Sequence, residues 1–155
     1  ALAKVVSGAS QGLLSAAVVL PIARLIMGPI PGLTLVHTGE IFTIAILGAM
    51  TFASFGLLMG TAISPQQIGL MFGIIIAPMM MFGCAYYPWR GLDGLPALQY
   101  AVLVNPLVYV AEGMRGAITP ELPHMPFLAS TFALIALTAL FTLLGIRSFA
   151  KRAMG

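Results

Sequence analysis

Charge is what this chain has least of. Only 7% of its 155 residues are charged, against about 25% in an ordinary soluble domain. A fold with so few solvated groups is excluded as a soluble globule, and a bilayer becomes the solvent to consider. The single cysteine, Cys84, rules out an internal disulfide, and its place inside an apolar run gives it a packing role rather than a redox one. No G-x-x-x-x-G-K-[ST] phosphate loop occurs, and the only lysines are Lys4 and Lys151, so nucleotide is not expected to bind this chain. The 7 basic residues are scattered without an aromatic or RGG pattern, which excludes nucleic acid as a partner. Acids are fewer still, with Asp93 standing alone beside an arginine, so neither a metal site nor a metal-dependent transferase is expected. Met79, Met80 and Met81 point about 100° apart on a helix, which suits adaptable packing and not copper ligation. Ser10 in GASQG has no base on its own segment, since His37 and His124 lie in connecting segments, and an intramembrane hydrolase is set aside.

What the chain does have is apolar length. Hydrophobic residues make up 60%, and charge-free runs of about 20 residues recur at 5–23, 41–62, 68–87 and 127–146, each enough for a hydrocarbon core of about 30 Å. Backbone groups in hydrocarbon must be satisfied internally, and the alternation of barrel strands is missing, so the runs read as helices of an all-α polytopic membrane protein. The first run lacks the basic start and cleavage site of a signal peptide and reads as a span, with the natural beginning expected upstream of Ala1. Pro78 is expected to kink the third span. Four-residue spacings at Gly8 and Gly12, Gly56 and Gly60, and Gly69 and Gly73 mark candidate helix packing sites.

An even number of spans puts both ends on one side. That side carries Lys4, Arg147, Lys151 and Arg152, while Arg24, Arg90 and Arg115 fall on the other with Glu40, Asp93, Glu112 and Glu121. The basic tail RSFAKR favours cytoplasmic ends. The turn 63–67 is then cytoplasmic, with Pro65 opening the next helix, and the outer connections are 27–40 and the long 88–126. Tyr86, Tyr87 and Trp89 suit an aromatic belt, and Arg24 an interfacial anchor.

A 39-residue connection is too long for a plain loop and should hold structure of its own. It reads as two short helices over about 94–118. In the first, Asp93 or Gly94 caps, Pro96 takes the first turn, and Leu95, Leu98 and Val102 share a face. In the second, Asn105 caps, Pro106 takes the first turn, and Leu107, Val110, Ala111 and Met114 form an apolar stripe. Tyr109, Glu112 and Arg115 occupy the opposite face, with Glu112 and Arg115 spaced to pair. Each helix is about 15 Å long, able to dip into the membrane but not to cross it. The polar face is expected either to sit exposed at the interface or to line a pathway, in which case alanine at Glu112 or Arg115 lowers transport more than abundance and a charge swap restores part of it.

No ionisable residue lies inside the four runs, which argues against an ion-driven secondary transporter. That class and a purely structural membrane subunit remain the alternatives. From 63 to 116 the chain carries Tyr86-Tyr87-Pro88, Leu95-Pro96, Asn105-Pro106-Leu107, Tyr109 and Glu112-Gly113-Met114-Arg115. In these it resembles the permease subunit of type-two ABC exporters, most closely the drug-resistance and nodulation-factor branch. The resemblance implies the last four of six spans and a re-entrant helical hairpin before the final one, with Asn105, Pro106, Tyr109, Glu112 and Arg115 at an outer gate. It also implies a second permease, homodimeric or heterodimeric, and two separate ATPase subunits that carry ATP and Mg, with Ser64, Pro65, Gln66 and Gln67 as a minor ATPase contact. The cargo implied is amphipathic, a drug, lipid-linked sugar or lipo-oligosaccharide, moved across a bacterial inner membrane.

Overall fold

The computed structural model describes residues 2–28 and 35–154, and the rest of the connection 27–40 lies outside the described residues. The described residues form long helices, one broken helical stretch and a compact hairpin. Helix α1, Leu2–Met27, keeps helical geometry through Pro21 and stops at Gly28, whose φ of +79° is the left-handed conformation that favours glycine after a helix end. Helix α2, Leu35–Ala62, starts six residues before its apolar run. The last helix, α7, is Phe127–Met154.

The third run departs from expectation. A 3-10 turn at Pro65–Gln67 leads into α3, Ile68–Met71, then a π-helical turn at Phe72–Ile76, then α4, Ala77–Met81. Pro78 has no N–H to give to the preceding turn, and the widened π turn just ahead of it absorbs that lost bond. The helix ends at Met81, short of residue 87, because the chain bends at Gly83 and Cys84, the latter at φ +54°. Among the described residues, two helices are long and apolar enough to cross a membrane, Val36–Ala62 and Phe127–Ala150, with shorter apolar helices at Ala3–Val19 and Gly69–Met81. Only 33% and 11% of the two long apolar windows are buried, so their side chains face outward and require an apolar surrounding.

Helix α2 is the hub, packing against α1, α7 and α6, the last being Pro106–Ile118. Small residues set the approach. A Cβ at Gly8 would stand 3.2 Å from Ala53 Cβ, and one at Gly12 3.4 Å from Ala49 Cβ. Hydroxyl pairs join α2 to α7, with Thr51 and Thr138 at 2.7 Å and Ser54 and Thr142 at 2.9 Å, a hydrogen-bonding route between helices that needs no charge. Among the described residues, a side-chain carbon added at Gly56, Gly69 or Gly73 would meet nothing within 4 Å. The close approaches are instead at Gly48 on Val110, Gly113 on Ile44 and Gly145 on Leu57. Those positions follow the crossing of α2 with α6 and α7, which a four-residue spacing on one helix does not reveal.

Candidate functional site

The hairpin begins with a 3-10 turn, Trp89–Leu92, followed by α5, Pro96–Ala101, another 3-10 turn, Val102–Val104, and α6. Asn105 caps α6 as the sequence suggests. Its Oδ1 accepts from the Leu107 N–H at 2.9 Å, with Pro106 in the first turn. Its Nδ2 reaches further and donates to the Met79 carbonyl at 2.6 Å, tying the hairpin to the end of α4. Next to this tie the packing leaves no room, since a Cβ on Gly83 would stand 2.7 Å from Leu107 Cγ and 2.9 Å from the Met79 oxygen. The start of α5 differs from expectation. Asp93 does not cap it; Leu95 holds the cap position without a side-chain bond, and Asp93 Oδ1 accepts from Gln99 Nε2 at 2.5 Å.

Glu112 is the centre of the hairpin and is fully buried. Its Oε1 accepts from the Trp89 N–H at 2.9 Å and from Arg115 Nη1, and its Oε2 accepts from the Met125 N–H at 2.9 Å. Arg115 Nη2 donates to the carbonyls of Cys84 at 2.7 Å and Tyr87 at 3.3 Å. One carboxylate and one guanidinium thus bind the bend after α4, the entry to the hairpin, α6 and the approach to α7. A buried charge is tolerable only when paired and fully hydrogen-bonded, and this one is. Of the two readings of this face, exposed at the interface or lining a pathway, the exposed one is corrected: Glu112 is inaccessible, and only 12% of the Arg115 side chain is accessible. The half-buried Tyr109 also turns inward, its hydroxyl donating to the Leu103 carbonyl at 2.8 Å.

The signal for the pair was its three-residue spacing on a helix. Its partners were not legible, because the Trp89 and Met125 amides and the Cys84 carbonyl are backbone groups brought in from distant positions. Trp89, expected in an aromatic belt with Tyr86 and Tyr87, is half-buried and tied to the hairpin. Its indole N–H donates to the Gln99 carbonyl at 2.9 Å, and Tyr87 donates to the Met81 carbonyl at 3.2 Å, leaving Tyr86 as the exposed member of the aromatic trio. His124 was missed as well; its ring lies against Gly116, where a Cβ would come within 2.8 Å of Nδ1.

At the opposite end, Gln66 and Gln67 are exposed, and the Ser64 hydroxyl donates to Gln67 Oε1 at 3.0 Å, closing the turn. The side chain of Pro65 lies outside the described residues. Between the two ends, a groove of about 1020 Å³ runs along α1 and α2, with Lys4 near one end and Val110 and Met114 of α6 near the other. Much of its lining is glycine and alanine, whose small size leaves it wide. Through the side chains of Glu112, Arg115 and Asn105, the arrangement joins backbone groups of separate segments and so holds the shape of the hairpin.

A family model described as ABC-2 type transporter matches residues 1–119. No curated protein matches the chain, and no solved structure does.

Proposed function

Since the chain belongs to the ABC-2 type transporter family, a family of transporter membrane components, we propose that it is a permease subunit of an ATP-driven exporter. In this reading α1, α2, residues 68–81 and α7 are four spans with both ends cytoplasmic, and the hairpin is re-entrant on the outer side of a bacterial inner membrane. A second permease completes the pathway, and two ATPase subunits carry ATP and Mg. Gly56, Gly69 and Gly73 face the helices of that assembly, and Ser64, Pro65, Gln66 and Gln67 meet an ATPase. The cargo is amphipathic, a drug, lipid-linked sugar or lipo-oligosaccharide.

The observation that carries the gate reading is the Glu112 and Arg115 network. It fastens the hairpin to the chain just past the third span and just before the last, so the hairpin moves with the span ends and not as a loose loop. Asn105 and Pro106 form its inner tip, and Tyr109 stiffens it. Glu112 and Arg115 position the gate, with no contact to cargo required of either. A buried membrane carboxylate also suggests proton coupling, but Glu112 is taken up by the Trp89 and Met125 backbone N–H groups and by Arg115, which suits a tie between segments.

Reconstituted with its ATPase in liposomes, the permease is expected to move a lipophilic amphiphile at least tenfold faster with ATP and Mg than without. A cysteine at Gln66 is expected to crosslink to the ATPase in the same preparation. Transport that ignores ATP and follows a proton gradient would instead establish the secondary transporter.

A further inference from the structure

A second cavity, of about 500 Å³, lies where the third span stands apart from the body. The π turn and α4 bury none of their residues, and their Ile74, Ile75 and Pro78 face Phe55 of α2 and Phe141 of α7 across this cleft. The two phenylalanine rings touch, with centroids 5.3 Å apart, and form its back wall. Its depth follows from the helices. Phe141 is 14 residues into α7, about 21 Å from that helix's hairpin end, and Phe55 is seven residues from the far end of α2, about 10 Å. The cleft therefore occupies the middle of the bilayer and the half away from the hairpin. Val104, Asn105 and Pro106, the hairpin tip, line it at the hairpin end.

We propose that this cleft is an acyl-chain site, filled by one hydrocarbon tail of a phospholipid from the leaflet opposite the hairpin. Three features select that occupant. The lining is apolar except for Asn105, whose side chain is already engaged by Leu107 and Met79, so a sugar, phosphate or ion finds no partner. A membrane-spanning helix, roughly 10 Å across and 30 Å long, fills about 2,400 Å³, far more than the cleft offers. A tail of the leaflet opposite the hairpin reaches about 15 Å, to the bilayer middle, the depth at which Phe141 stands in α7. An empty space of this size between helices would forfeit packing contacts on every wall. The π turn widens the helix at the residues that border the cleft, so the backbone irregularity and the site coincide. The tail then acts as a wedge that holds the third span off α2 and α7. The inference rests on the span arrangement proposed above and not on ATP-driven transport.

The test is mass spectrometry of the permease complex purified in mild detergent. The wild type is expected to retain one phospholipid per chain, and the double variant Ile75→Trp/Ala101→Phe, which fills the cleft, at least fivefold less. Phe132→Trp, on the outward face of α7, is expected to leave retention unchanged. Absence of retained lipid in the wild type, or equal retention in the filled variant, overturns the proposal. Should the filled variant fail to fold, wild-type complex in bilayer discs carrying a phospholipid with a photoreactive tail decides the matter. Adducts on Phe55, Ile75 and Phe141 support the site; adducts confined to outward residues such as Phe132 overturn it. Neither measurement uses ATP, and labelling of introduced cysteines at Asp93 and Gln66 from opposite sides checks the span arrangement separately.

Discussion

Glu112→Ala is expected to remove most of the folded permease from the membrane. The substitution strands the Arg115 guanidinium and leaves the Trp89 and Met125 N–H groups without acceptors in a buried site. Breaking a buried ion pair by deleting one partner costs about 3–5 kcal/mol, a large share of the roughly 5–15 kcal/mol that holds a domain together. Arg115→Ala is expected to cost less, because the two backbone amides still neutralise the carboxylate in part. Glu112→Gln should fall between wild type and alanine, since a single amide oxygen serves one of the two amides while its NH2 opposes the other. The charge-swapped double variant is not expected to recover. An arginine at 112 would point a cation at two N–H donors, and a glutamate at 115 would point an anion at the carbonyls of Cys84 and Tyr87. The readouts are the monodisperse fraction in detergent, the thermal midpoint and hydrogen exchange at the Trp89 and Met125 amides. Normal abundance with unchanged exchange in Glu112→Ala would show that the network does not hold the hairpin.

Gly83→Val is expected to be the second most damaging change, and its rescue is specific. A side chain at 83 enters the space of Leu107 and presses on the Met79 carbonyl, the same carbonyl that Asn105 holds. Overpacking of this kind costs about 1–3 kcal/mol, and here it also pries α6 from the end of α4. Leu107→Ala on top of Gly83→Val is expected to restore part of the thermal midpoint, because it vacates the occupied volume. Recovery remains incomplete, since the Met79 oxygen is backbone and cannot be trimmed. Asn105→Ala loses the α6 cap, about 1 kcal/mol in itself, and releases the same junction. Gly83→Val and Leu107→Ala that simply add, without rescue, would place the two residues out of contact.

The helical character of the chain was legible because it follows from local pattern. Apolar length gave α2 and α7, and the Asn105-Pro106 pair gave the start of α6 to the residue. The third apolar run was readable as a helix with a fault at Pro78, but not as one ending at Met81, because its bend depends on Gly83 meeting Leu107 and on Cys84 adopting a left-handed φ. The burial of Glu112 was out of reach for the same kind of reason. Its donors lie 23 residues before it and 13 after, and two of them are backbone amides that any sequence carries. A polar stripe on a short helix reads as an exposed face until such donors are known to converge on it. The glycine spacings are legible only in part, for a related reason. Glycine packing is set by what crosses it, so Gly8 and Gly12 meet α2 while Gly113 and Gly48 mark the crossing of α2 with α6.

The proposed gate is tested most directly by distances between spin labels in the permease bound to the proposed ATPase, with and without ATP. Labels at the exposed Tyr100 on α5 and Val36 on α2 report the hairpin against the body, and labels at Tyr100 and Met81 report the hairpin against the third span. A hairpin fastened by Glu112, Arg115 and Asn105 predicts that ATP changes the first distance and leaves the second fixed, the two elements moving together. A first distance that stays constant through the ATP cycle, while cargo is still exported, would contradict it and leave the hairpin a static brace.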